Sequence, residues 1–126
     1  MKITIAVPVY GVEKYVSKCA ESLFSQDYED LEFLFINDCT RDNSVGEIRK
    51  CLQKYPHRIE QTRIIDCPVN KGLPAVRNLA VQLATGDFIF HVDADDYIEF
   101  DAVSSLASKQ METGADLVTA NYFFET

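Results

Sequence analysis

Apolar positions along the chain alternate between two periods, and that alternation predicts the architecture. Residues 3–7 form a short, β-branched apolar run that reads as a first strand, with Pro8 expected to stop it. Val12, Val16, Cys19, Ala20, Leu23 and Phe24 then recur at helical spacing. Residues 31–36 read as a second buried strand. Ser44-Val45-Gly46-Glu47 fits a capping box, with Ser44 as N-cap, ahead of an apolar stripe of Val45, Ile48, Leu52 and Tyr55 that Pro56 ends. A third strand is expected over 63–66. Pro74 suits the first turn of a helix whose buried face is Val76, Leu79, Ala80 and Leu83, with Gly86 as its C-cap. Residues 87–92 read as a fourth strand. Val103, Leu106, Ala107 and Met111 are expected to face the core from a fourth helix closed by Gly114, and residues 117–124 to open a fifth strand.

Strands and helices in strict alternation, joined by short connections, predict an α/β fold with a doubly wound, largely parallel sheet. The 126 residues suffice for one domain with its own core. At 47% hydrophobic and 25% charged, the composition is that of an ordinary globular chain, without repeat, low-complexity segment or linker. The aromatic strand expected so near Thr126 suggests one part of a larger protein or a trimmed product.

Charge and cysteine usage narrow the possible partners. The net charge of −8, with no basic patch, argues against nucleic acid; an anionic ligand would need a metal or a few well-placed Lys and Arg. Cys19, Cys39, Cys51 and Cys67 make no Cys-x-x-Cys pair and no zinc spacing, and are expected as reduced thiols of a cytoplasmic protein. The opening apolar run is too short for a signal peptide. No stretch approaches the ~20 apolar residues that span a bilayer. Peripheral attachment at the inner face of the membrane stays open.

The chemistry gathers at the predicted carboxyl ends of the strands. Asp93, Asp95 and Asp96 follow directly on the buried fourth strand. Ligands of open α/β sheets sit at that edge, and crowded carboxylates repel unless a cation joins them. Carboxylate oxygens suit Mg²⁺ or Mn²⁺. Pro8-Val9-Tyr10-Gly11, Asn37-Asp38-Cys39-Thr40 and Val69-Asn70-Lys71-Gly72 end the other strands. Singly, each has a plainer reading. Asp38 could bond its own backbone in a turn. Asn70-Lys71-Gly72 could be a simple turn. Tyr10 could be packing, and Arg77 and Asn78 a solvated helix face. Convergence of all four strand ends favours one site.

In order and spacing these pieces resemble the nucleotide-binding half of an inverting family 2 glycosyltransferase with the GT-A fold, a Rossmann-like three-layer sandwich around a largely parallel sheet. The resemblance rests on Pro8-Val9-Tyr10 with Glu13, on Asn37-Asp38 with Thr40 and Asp42-Asn43-Ser44, and on Asn70-x-Gly72 with Arg77-Asn78. Ala84-x-Gly86-Asp87-Phe88-Ile89 and Asp93-x-Asp95-Asp96 complete it. It covers essentially residues 1–126 as one nucleotide-sugar-binding unit, with the acceptor-binding half expected beyond Thr126.

What the resemblance implies is transfer of a sugar from a nucleoside-diphosphate sugar, commonly UDP-linked, to a hydroxyl of a carbohydrate or glycolipid. Cell-surface polysaccharide or glycolipid synthesis would be the setting. Pro8, Val9 and Tyr10 would shape the base pocket, Asp38 would accept from the base, and Glu13 would support the ribose side. Asp95 would bind ribose or sugar and share the metal site with Asp96, Asp93 would support this pair, and Lys71 and Arg77 would serve the phosphates. The cofactor would be Mn²⁺ or Mg²⁺, and the catalytic base would lie beyond Thr126.

Departures from the family pattern are Gly11 where Asn is frequent, Asn37 where Asp is frequent, and Cys39 where a small residue or Gly is usual. Cys39 is expected as a buried, inert thiol. A nucleotidyltransferase is the main rival, but Gly11-Val12-Glu13 with only Lys14 nearby is a poor grip for a triphosphate. A phosphoacceptor domain would need acids after the first strand. A non-catalytic nucleotide-binding module would keep the fold alone.

Overall fold

A computed structural model describes residues 1–113. The expected helix stop at Gly114 and the strand expected over 117–124 lie outside these residues. The elements run β1 (Ile3–Val9), α1 (Val16–Phe24), β2 (Leu31–Asn37), α2 (Ser44–Leu52), a 3₁₀ helix (Pro56–Gln61), β3 (Thr62–Asp66), α3 (Leu73–Leu83), β4 (Phe88–His91) and α4 (Ala102–Thr113). The strands pair in the order β3-β2-β1-β4, all parallel. The central strands β1 and β2 are covered on both faces and are therefore almost uniformly apolar.

Side chains alternate across the sheet and build two cores. Ile3, Ile5, Val7 and Val9 of β1, with Leu31, Phe33 and Phe35 of β2, pack against α1, α2 and α4. Phe24 sits among them, edge-on to Phe33 and Phe35 at 5.1 and 5.9 Å. Ala6, Leu34 and Ile36 face the other way, against Val76 and Ala80 of α3. The result is a three-layer α/β sandwich. The chain leaves β1 for β2 on one side and returns to β4 on the other, so the crevice between the ends of β1 and β4 is the topological switch point where such sheets bind ligands. No helix among the described residues is long and apolar enough to cross a membrane.

Several local expectations need correction. The first strand passes through Pro8 to Val9. The Ala6 carbonyl accepts from Val92 N on the β4 side, and the Val9 carbonyl accepts from Asp38 N on the β2 side. Pro8 shares the phase of Ala6, and β4 has already ended at His91, so its missing N–H costs no ladder bond. Ser44 is the first residue of α2, not its cap; Asn43 holds the cap position without a side-chain bond. Gly86 does not cap α3, which ends with Ala84 at the C-cap. It is needed because a Cβ there would lie 2.7 Å from the Thr4 backbone nitrogen. Met111 is exposed rather than in the core.

The 3₁₀ helix was not expected. It carries Arg58, which is 1% exposed. The guanidinium donates to the carbonyls of Phe24, Gln26, Tyr28 and Glu29 and to Gln61 Oε1, satisfying the α1–β2 connection from within. Burial lowers its pKa against the opposing pull of the Glu29 charge, and the bonded carbonyls satisfy its N–H groups.

Candidate functional site

The acidic turn continues the period of β4 past the end of the strand. Val92, Ala94 and Ile98 are buried in the α1 core, while Asp93 and Asp95 point out. Asp96 N donates to the Asp93 carbonyl at 3.1 Å and closes the turn. One carboxylate oxygen from each of Asp93, Asp95 and Asp96 lies within 4.8 Å of the others. Asp96 Oδ1 is buried without a hydrogen-bond partner, an arrangement that normally demands an explanation. Burial, then the charges of Asp95 and Asp93, raise the Asp96 pKa. Beneath the turn, Cys19 Sγ donates weakly to the Asp93 carbonyl at 3.6 Å. Burial, reinforced by Asp96, Asp95 and Asp93, pushes the Cys19 thiol up to about 12, so it stays protonated.

Beside the acids opens a cleft of about 500 Å³, lined in part by Pro8, Val9, Tyr10, Asp38, Asp93 and Asp95. Tyr10 is 52% exposed, presenting its ring to the opening. Asp38, 5% exposed, does not fold back on its own turn. Its two oxygens accept from Lys71 N at 2.7 Å and Gly72 N at 3.0 Å, and its carbonyl accepts from Asn70 Nδ2 at 3.1 Å. Asn70-Lys71-Gly72 is therefore a wall of the cleft bolted to the end of β2. Gly72, at φ 86°, makes that turn possible.

Other anticipated residues stand apart from the cleft lining. Glu13 Oε1 accepts from Asn43 N at 2.6 Å, tying the β1–α1 loop to the start of α2. Asp42 completes this tie, with Oδ2 accepting from Glu13 N and Oδ1 from Thr40 Oγ1, Ser44 N and Ser44 Oγ. Those bonds, the Ser44 hydroxyl foremost, hold the Asp42 pKa down to about 2. Lys71 is exposed at the rim. Arg77 Nη2 meets Asp93 Oδ1 at 3.3 Å, an exposed pair worth little by itself.

The departures at Gly11 and Cys39 share a backbone cause. Both lie at φ 63°, the left-handed region that Gly and Asn tolerate best. Cys39 is exposed, contrary to the expected buried thiol, with Sγ 3.9 Å from the Pro68 carbonyl. Sequence reasoning missed the functions of Asp42 and Ser44 as loop ties. Ser44 read as a cap paired with Glu47, and Asp42 entered only through Asp42-Asn43-Ser44 in the family resemblance.

The Glycosyl transferase family 2 profile matches residues 4–125. Glycosyltransferase GlyA of Streptococcus pneumoniae is 41% identical over 97% of this chain and 17% of its own length. A poly(ribitol-phosphate) beta-glucosyltransferase of Bacillus spizizenii is 36% identical over 93% of this chain and 18% of its own length. The crystal structure of Staphylococcus aureus TarS 1–349 in complex with UDP superimposes with a TM-score of 0.81 at 30% identity. It covers 92% of this chain and 34% of that one, and TarS 1–349 was also solved with UDP-GlcNAc. The chain spans less than half the length of the curated relatives it matches. With a GT-A sheet, an acidic turn at its switch point and a family match over nearly its whole length, the chain belongs to glycosyl transferase family 2.

Proposed function

We propose that this chain is the donor-binding part of an enzyme that moves a sugar from a nucleoside-diphosphate sugar, UDP-linked, to a hydroxyl of a carbohydrate or glycolipid in cell-surface polymer synthesis. The observation that carries this reading is the close set of the exposed Asp93 and Asp95 carboxylates with the buried, unpartnered Asp96 Oδ1, beside the cleft. Hard oxygen donors so close together fit Mg²⁺ or Mn²⁺. Asp96 and Asp95 would hold the ion, with Asp93 in support. When bound, it would supply Lewis-acid neutralisation of the charge on the departing diphosphate.

The chain's own residues would do the rest of the donor binding. Tyr10 offers its ring to the base. Asp38 is already fixed by Lys71 N and Gly72 N, yet each of its oxygens retains a second lone pair for the N3–H of uracil. UDP in TarS 1–349, at 30% identity, supports uridine as the base. Lys71 and Arg77 stand where phosphate charge would draw them in. Glu13 supports the ribose side indirectly, by fixing the loop that carries Tyr10. Inversion calls for in-line attack by the acceptor hydroxyl and for a carboxylate base to take its proton. We assign that base, and the acceptor site, to the part of the protein beyond Thr126. The location that suits such chemistry is the cytoplasm or the inner face of the membrane.

A thermal-shift screen of nucleoside diphosphates and triphosphates, with and without Mn²⁺, tests the reading. UDP with Mn²⁺ is expected to raise the unfolding temperature most. A larger rise from a nucleoside triphosphate would favour nucleotidyl transfer instead.

A further inference from the structure

Three side chains at or just beyond α1 lie under the acidic turn and the segment that follows it. Cys19, Ser22 and Gln26 are spaced i, i+3 and i+7, one face of a helical path. Cys19 Sγ reaches the Asp93 carbonyl where the turn begins. Ser22 Oγ accepts from Ile98 N at 3.3 Å where the turn ends, while donating to the Cys19 carbonyl at 2.7 Å. Gln26 Nε2 donates to the Glu99 carbonyl at 2.7 Å, and Gln26 Oε1 accepts from Val103 N at 3.1 Å, in the first turn of α4. Asp27 N adds a bond to the Phe100 carbonyl at 3.1 Å.

Gln26 is itself pinned from the far side. It is 4% exposed. Its amide also donates to the Ser22 carbonyl at 3.0 Å, and its own carbonyl accepts from the buried Arg58 at 2.7 Å. The three acids thus ride on backbone gripped at both ends by α1, while their carboxylates stay free of that grip.

We propose that Ser22 and Gln26 are positioning residues that set where the Asp95 and Asp96 carboxylates stand, and so tune cation and diphosphate binding without touching either. This rests on the donor-site reading above. Groups that hold metal ligands in place commonly change metal affinity by about 10-fold or more when removed. Buried side chain–backbone bonds of this kind are also costly to leave half-made.

The test uses the full-length protein and titration calorimetry with UDP, with and without Mn²⁺. Ser22→Ala and Gln26→Leu are expected to weaken Mn²⁺-dependent UDP binding about 10-fold while leaving metal-free UDP binding within about 2-fold of the parent, since Pro8, Tyr10 and Asp38 are untouched. Ser22→Thr keeps the hydroxyl and is expected to restore the parent value. Ile48→Val, a core change on α2 away from the turn, serves as a destabilised control and is expected to keep full metal dependence. If Gln26→Leu does not fold, the Ser22→Ala and Ser22→Thr pair decides. Unchanged Mn²⁺-dependent binding in Ser22→Ala overturns the proposal, as does an equal loss in Ile48→Val. A parent protein whose UDP binding ignores Mn²⁺ overturns the donor-site reading as well, and that result is distinct because it appears before any variant is made.

Discussion

At the amino ends of the strands Glu32 is 5% exposed and fully partnered; at the carboxyl ends Asp96 is half-buried with an oxygen that meets nothing. Glu32 Oε1 accepts from Thr4 Oγ1 and Thr85 N, and Oε2 from Arg63 Nη1, which also bonds the Leu83 carbonyl. Burial alone would raise the Glu32 pKa, yet those bonds together lower it. For Asp96 burial and like-charged neighbours act in the same direction, upward. One end uses its carboxylate to fasten the α3–β4 loop to three strands. Among the described residues, the other end gathers three carboxylates around one cation, Arg77 on Asp93, and leaves Asp96 Oδ1 with no partner. Acidity is common to both, so the difference that marks the site is the missing partner.

The comparison can be broken from either end. Glu32→Ala is expected to have the largest effect on stability, about 2–3 kcal/mol, because it strands Thr4, Thr85 N and Arg63; urea unfolding measures it. A loss under about 0.5 kcal/mol would make Glu32 an ordinary surface acid. Asp38→Ala is expected to weaken UDP about 10-fold, the scale of one charge-assisted hydrogen bond, and to speed hydrogen exchange at Lys71 and Gly72. Equal UDP affinity by calorimetry would remove Asp38 from the base pocket.

The smallest effect is a pair of opposite pH trends. Glu32, with its lowered pKa, contributes stability that is present above the ordinary glutamate range and lost as pH falls through its folded value. Asp96, with its raised pKa, carries a penalty that appears as pH rises through its folded value and is absent below the ordinary aspartate range. Glu32→Gln should therefore flatten the acid limb of the stability curve. Asp96→Asn, measured without metal, should slightly raise stability near neutral pH. The same slope in both variants would erase the contrast.

Much of this was legible in the residues. Alternating periods specified four strands and their helices, because strands covered on both faces must be apolar. The acids were visible because three carboxylates directly after an apolar strand have few structural uses, although β4 proves half-buried at the sheet edge rather than fully buried. What could not be read was long-range polar pairing. Arg58 looks like any surface arginine until the α1–β2 carbonyls close around it. Glu13 and Asp42 lie 29 residues apart, and only folding brings them into one tie. Pro8 was misjudged because its tolerance depends on where a strand 80 residues later ends. Gly86 was misjudged for a similar reason, since its neighbour is Thr4.

The most direct test of the central claim, that the acids at the carboxyl ends hold a cation against a diphosphate while Glu32 only holds the fold, is a crossed calorimetric titration. UDP is titrated into the full-length protein with and without Mn²⁺, for the parent, Asp96→Ala and Glu32→Gln, alongside urea unfolding of each. The account predicts that Asp96→Ala loses the Mn²⁺-dependent part of UDP binding with its unfolding midpoint kept, and that Glu32→Gln unfolds earlier with Mn²⁺-dependent binding kept. Undiminished Mn²⁺ dependence in Asp96→Ala would contradict it.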